Sequence, residues 1–214
     1  MEGVELADGL QERILVIGFG RFGQIASQPL LAMKHRVSII DNDTEMIRAA
    51  AQFGFKVYFG DGTRLDVLRA AGAETADAVL ICVDSQEAAT RIAELVRHEF
   101  PLVKVFARAF DRGHALTLVR LGVTYQIREV FESALAFGAA AIAAMGATVE
   151  EVAEVVERVR ENDHKRFEAQ MLGDLQAGRD LLLSNAEDQA REGGIKAEPS
   201  EPVVVAPVAA GAAR

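Results

Sequence analysis

One hexapeptide constrains this chain more than any other feature: Gly18-Phe19-Gly20-Arg21-Phe22-Gly23, placed between the β-branched run Arg13 to Ile17 and a helical pattern opening at Arg21. Each glycine has a separate physical task. Gly18 permits the tight turn off the strand, Gly20 lets backbone approach a pyrophosphate, and Gly23 lets helix and strand pack closely. The free N–H groups at the helix start then face phosphate oxygens. About 20 residues on, Asp41 ends the next β-run with Asn42 beside it, where a carboxylate accepts both ribose hydroxyls. The same charge repels a 2′-phosphate, so NAD or an adenine mononucleotide is preferred over NADP.

The surrounding pattern extends the same reading. Short apolar runs at 13–17, 36–40, 55–59, 78–83, 103–107 and 124–127 alternate with helices opening near Arg21, Thr44, Thr63, Ser85 and Asp111. Thr44, Thr63 and Ser85 are read as helix caps, and Gly54, Gly72 and Gly122 as helix stops. Alternation of this kind predicts an α/β fold: a Rossmann-like parallel six-stranded sheet with helices on both faces. With 214 residues, half of them hydrophobic, the core such a sheet needs is available. Asp61, Thr63 and Asp84 fall at the carboxyl ends of the third and fourth strands, where ligands of these sheets bind. For Asp61 and Thr63, simple helix capping is an equal reading. The candidate cofactor-binding set is thus Gly18, Phe19, Gly20, Arg21, Phe22, Gly23, Asp41, Asn42, Asp61, Thr63 and Asp84.

Beyond Ile127 the β-signal stops. An Ala-rich helix runs from about Val130 to Gly146, and a longer one from Val149 to about Leu172, opened by a Thr148–Glu151 capping box. The second carries a stripe of Val149, Val152, Val155, Val156 and Val159. The expected organisation is a leader at 1–12, the nucleotide-binding domain at 13–129, a helical extension at 130–190, whose apolar stripe is buried in a dimer contact or against its own sheet, and a disordered tail at 191–214.

Several function classes are disfavoured. A net charge of -9 gives no electrostatic footprint for nucleic acid. The longest charge-free stretch, 133–149, is mostly Ala and Gly and too short to span a bilayer. A lone cysteine, Cys82, read as a buried small residue, and the lack of a basic-then-apolar leader predict a cytoplasmic protein. Neither Tyr58 nor Tyr125 has a lysine four residues on, and no metal-ligand spacing appears. His35, His98, His114 and His164 are expected on solvated helix surfaces or helix ends. A nucleotide site without an acid–base set predicts a binding module, not an enzyme.

The segments I-L-V-I-G-F-G-R-F-G-Q (14–24), I-D-N-D (40–43), F-G-F-K-V-Y-F-G-D-G-T-R-L-D (53–66), A-R-A (107–109) and I-R-E-V-F (127–131) resemble the regulatory domain of Kef-type glutathione-gated potassium efflux systems, a subset of the RCK or KTN domains. The resemblance implies a cytoplasmic homodimer joined to a membrane-embedded cation:proton antiporter. It further implies AMP or NAD(H) in the crevice, with closure by glutathione and opening by its adducts. It points to Phe53 and Arg128 as the positions matching the family's second-ligand residues, at the dimer interface. Gln28 and Phe110 stand where glutathione-responsive members carry arginine, and Asp163 where they carry asparagine. Two lost cations and a gained anion weaken binding of an anionic tripeptide. A free-standing Trk-type regulatory subunit and an NAD-dependent oxidoreductase are the alternative readings.

Overall fold

The computed structural model describes residues 13–52 and 56–173. Six strands, β1 (Arg13–Ile17), β2 (Arg36–Asp41), β3 (Lys56–Phe59), β4 (Ala78–Ile81), β5 (Lys104–Ala109) and β6 (Tyr125–Arg128), form one sheet in the order β3-β2-β1-β4-β5-β6. Every pairing is parallel. Parallel strands need crossover connections, and the helices α1 (Arg21–Ala32), α2 (Thr44–Gln52), α3 (Leu65–Ala70), α4 (Gln86–Glu99) and α5 (Arg112–Arg120) supply them. This is the doubly wound Rossmann order expected from the alternation.

Central strands in such a sheet must be apolar on both faces. In β1 the residues Ile14, Leu15, Val16 and Ile17 are all buried, so neither face of that strand meets water. Ile14, Val16, Phe19, Val37, Ile39 and Cys82 form one core cluster, with Phe22, Ala26, Leu30, Met46 and Leu80 packed against it.

Local chemistry moved several boundaries. β5 runs two residues past the expected end because Arg108 and Ala109 pair with Ile127 and Arg128 of β6. α3 begins at Leu65 rather than near Thr63, since the Thr63 hydroxyl donates to the Asp61 carboxylate at 2.7 Å and is not a helix cap. At α2 the capping acceptor is Asp43, which takes the Glu45 N–H at 2.8 Å, in place of Thr44. Ser85 does cap α4, accepting the Ala88 N–H at 3.1 Å. Gly72 and Gly122 have φ of +87° and +79°, the left-handed region at which helices stop. Gly54 lies outside the described residues. A short 3-10 turn at Ala73–Thr75 was not anticipated.

After the sheet come α6 (Glu129–Ala144) and α7 (Val149–Leu172), the latter opened by the reciprocal Thr148–Glu151 bonds at 2.8 and 3.2 Å. The chain divides into two compact units between Arg158 and Val159, within α7. No residue of α6 is buried, and its Val130 and Phe137, with Met145 just beyond its end, are exposed. Among the described residues no helix is long and apolar enough to cross a membrane.

Candidate functional site

A cleft of about 480 Å³ opens at the carboxyl ends of β1 to β4. The strand order reverses between β1 and β4, so their following loops diverge and leave a crevice. Gly18, Gly20, Arg21, Asp41, Asn42, Asp61, Thr63 and Asp84 all line it.

The turn that forms its floor is over-determined. Gly18 has φ +91°, and a Cβ there would lie 2.9 Å from the Val83 nitrogen. A Cβ on Gly23 would lie 2.1 Å from the Gly18 carbonyl oxygen, so only glycine lets α1 approach its own turn this closely. Gly20 is the opposite case: nothing lies within 4 Å of its Cβ position. Gly20 also caps α1 with no side chain of its own, and no acidic residue occupies the first turn. The start of α1 therefore presents unsatisfied N–H groups and the positive end of its dipole to open space.

Asp41 ties the second strand to this turn. One carboxylate oxygen accepts the Phe19 N–H at 2.6 Å and the other accepts the Asp43 N–H at 2.7 Å. Each carboxylate oxygen has capacity for a second bond, so a pair of hydroxyls can still be accepted. Asp61 accepts from the Thr63 N–H and hydroxyl at 2.9 and 2.7 Å, and these bonds hold its carboxyl below the usual carboxylate range.

Other predicted residues have different surroundings. Phe19 is buried in the core, 2% exposed, and Phe22 packs against the same cluster. Neither these two nor Gly23 lines the cleft. Arg128 ends β6, immediately before α6 and outside the cleft, its guanidinium 4.1 Å from the Phe131 ring centroid. Phe53 lies outside the described residues. Cys82 is buried, which pushes its thiol up to about 12 and keeps it protonated.

Asp43, Met46, Ala88 and Ile92 also line the cleft and were not anticipated. Arg108 was missed as well. Its side chain, 9% exposed, donates to Glu129 from Nε at 3.0 Å and from Nη2, and to Asp84 from Nη1. The guanidinium also lies 5.3 Å from the Phe22 ring centroid. His114 corrects the expectation of a solvated histidine: it is 1% exposed. Its Nδ1 accepts the Phe110 N–H at 3.1 Å, and its Nε2 lies 3.2 Å from the Thr90 hydroxyl oxygen.

Residues 14–129 match the TrkA-N domain model, more than half of the chain. The chain belongs to the TrkA-N family. That TrkA-N match takes in all six strands from Ile14 onward and every cleft-lining residue, and stops at the first residue of α6. The solved Kef C-terminal domain of Shewanella denitrificans, in AMP-bound form, superposes with a TM-score of 0.70 at 33% identity, over 75% of this chain and 99% of that one. A glutathione-regulated potassium-efflux system protein of Haemophilus influenzae is 41% identical over 163 residues, 76% of this chain and 26% of that protein. KefC of Salmonella arizonae is 36% identical over 191 residues, 89% of this chain and 30% of that protein. The chain thus spans less than a third of these relatives' length.

Proposed function

We propose that this chain is the ligand-sensing module of a Kef-type potassium efflux system, in which an adenine nucleotide with an unphosphorylated ribose, AMP or NAD(H), occupies the cleft. The observation that carries this reading is the open Gly20 backbone in the same cleft as the Asp41 carboxylate. The turn seats a phosphate, and Asp41 accepts the ribose hydroxyls. The AMP held by the similar Kef C-terminal domain supports the ligand class. The output is occupancy rather than bond-making, reported from the cytoplasmic side to a membrane-embedded cation:proton antiporter by a ligand that binds one state better than the other.

Two copies of the chain pair through the extension. Its Ala-rich α6 exposes apolar side chains, Phe137 at 80%, and leaves none buried, as a face reserved for a partner does. A second ligand, glutathione or an adduct, binds near Phe53 and Arg128, weakened by Gln28, Phe110 and Asp163. Calorimetric titration with AMP, NAD, NADH, NADP and glutathione tests the reading, with light scattering of the same sample reporting the dimer. AMP or NAD binds, NADP binds more weakly, and Asp41→Asn shrinks the NAD-over-NADP preference about tenfold, the weight of one or two charged hydrogen bonds. NADP binding as tight as NAD overturns the role of Asp41.

A further inference from the structure

Two helices start at the rim of the cleft, and their chemistry differs. α1 begins with Gly20, uncapped, followed by Arg21 and no acidic residue in its first turn. α4 begins at Ser85, whose side chain already accepts the Ala88 N–H, while its hydroxyl donates to Glu87 at 2.8 Å. Asp84 stands immediately before it, with its side chain 86% exposed. The donors of α4 are therefore partly satisfied, and two carboxylates flank them.

The two starts are close. Val83 is the residue against which Gly18 packs, so Asp84 follows directly on the wall of the glycine turn. Because β2 and β4 flank β1, Asp41 and Asp84 stand on opposite sides of the glycine turn, so a phosphate chain whose ribose is held by Asp41 has Asp84 on its far side. The cation beside Asp84 is Arg108, and Arg108 spends two of its donors on Glu129. Among the described residues the one cation in the cleft lining is Arg21, at the start of α1 where the first phosphate sits, so none lines the Asp84 side for a further phosphate.

Resting on the nucleotide reading above, we propose that the cleft has one anionic seat and that Asp84 is a specificity-determining residue that rejects terminal polyphosphates. A monophosphate fills the seat. The bridging diphosphate of a dinucleotide carries one charge per phosphate and is tolerated. The added charges of ADP and ATP are driven against Asp84 and Glu87, at separations where like charges are weakly screened.

Magnesium-free titration with AMP, ADP and ATP, at low and moderate salt, tests this on the full chain and on its Asp84→Asn and Glu87→Gln variants. Asparagine keeps an acceptor for Arg108, and a thermal melt of each variant confirms folding. ATP binds the parent chain about tenfold or more weakly than AMP, with a gap that narrows as salt rises. Asp84→Asn cuts the AMP-to-ATP affinity ratio severalfold, and Glu87→Gln cuts it less. ATP binding as tightly as AMP, or a ratio that Asp84→Asn leaves unchanged, overturns the proposal while the nucleotide site stands. Absence of binding by all three nucleotides removes both.

Discussion

The two halves of the sheet end differently at the same edge. On the β1–β3 side, the carboxyl ends carry Gly18, Gly20, Gly60 and Gly62 with short aspartates, and a cleft remains. On the β5–β6 side, the long side chain of Arg108 reaches Glu129 and Asp84, and the ring of His114 fills the space between α5 and Thr90 of α4. Both halves are wound the same way, yet one edge is left open as a cleft and the other is closed by the chain's own groups. The reversal of strand order between β1 and β4 opens the crevice, and short side chains at those strand ends keep it open, whereas long ones fill the β5–β6 end. A site here is kept open by what is absent from the turn as much as by what lines it.

The largest effect is expected where the open half depends on a missing atom. Gly23→Ala places a methyl 2.1 Å from the Gly18 carbonyl oxygen, a backbone atom that cannot rotate away. The cost is about 3 kcal/mol of stability, or roughly 6–12 °C in melting temperature, with loss of nucleotide binding. Thermal denaturation followed by circular dichroism measures it. A shift under about 2 °C would show that α1 can move off the turn, and the open half would owe less to glycine than its geometry suggests.

Closure of the other half is tested at Arg108. Replacing it by Met leaves Glu129 without its cation, at 34% side-chain exposure, and costs about 2 kcal/mol, less than for a fully buried pair because water reaches the carboxylates. Urea unfolding of Arg108→Met, Glu129→Gln and the double variant reads the interaction directly. A coupling of about 1 kcal/mol is expected for groups in one network. Strict additivity would mean that the ion pair is incidental and that apolar packing closes this edge.

The same contrast explains what could be read in advance. The open half is built from short motifs whose conformation is dictated locally: a glycine turn, a strand end, an aspartate at fixed spacing. Those residues were legible, and so was the strand order, because a βαβ alternation admits few windings. The closed half rests on contacts between distant segments. Arg108, flanked by buried alanines, falls one residue past the strand end expected at 107 and enters the sequence reading only within the A-R-A segment, and its partners lie 24 and 21 residues away. Phe19 and Phe22 belong to the fingerprint by sequence but turn into the core, since an apolar ring is more stable against Ile39 and Val37 than over a polar cleft. Thr44 and Thr63 were misread for a related reason. In each case an aspartate one or two residues earlier is the stronger acceptor, Asp43 for the Glu45 N–H and Asp61 for the N–H of Thr63 itself, and the turn it makes takes the place of a threonine cap.

The smallest effect, and the one that separates the halves by pH, belongs to His114. The Thr90 hydroxyl donates to the Gln86 carbonyl at 2.9 Å, so it can only accept from His114, and Nε2 must carry the proton. Nδ1 accepts the Phe110 N–H, so the neutral ring has both nitrogens satisfied. A second proton on Nδ1 would face that N–H. Burial first, against weaker opposing pulls from Asp111 and Glu87, holds this imidazole below the ordinary histidine value. The unfolded chain takes up its proton near pH 6.5 and the folded chain only at lower pH, so the unfolded state binds more protons in between. Stability therefore falls as pH drops through that window, and the loss arises on the closed side of the sheet. Urea midpoints at pH 7.5 and 5.5 should separate for the parent chain and converge for His114→Gln, which has no proton to gain. Asp61, Glu87 and Glu151, each held low by hydrogen bonds, titrate below this window and do not mask the difference. Equal midpoints in the parent chain would mean that the ring admits its second proton without penalty, and that the closed edge yields more readily than its hydrogen bonds imply.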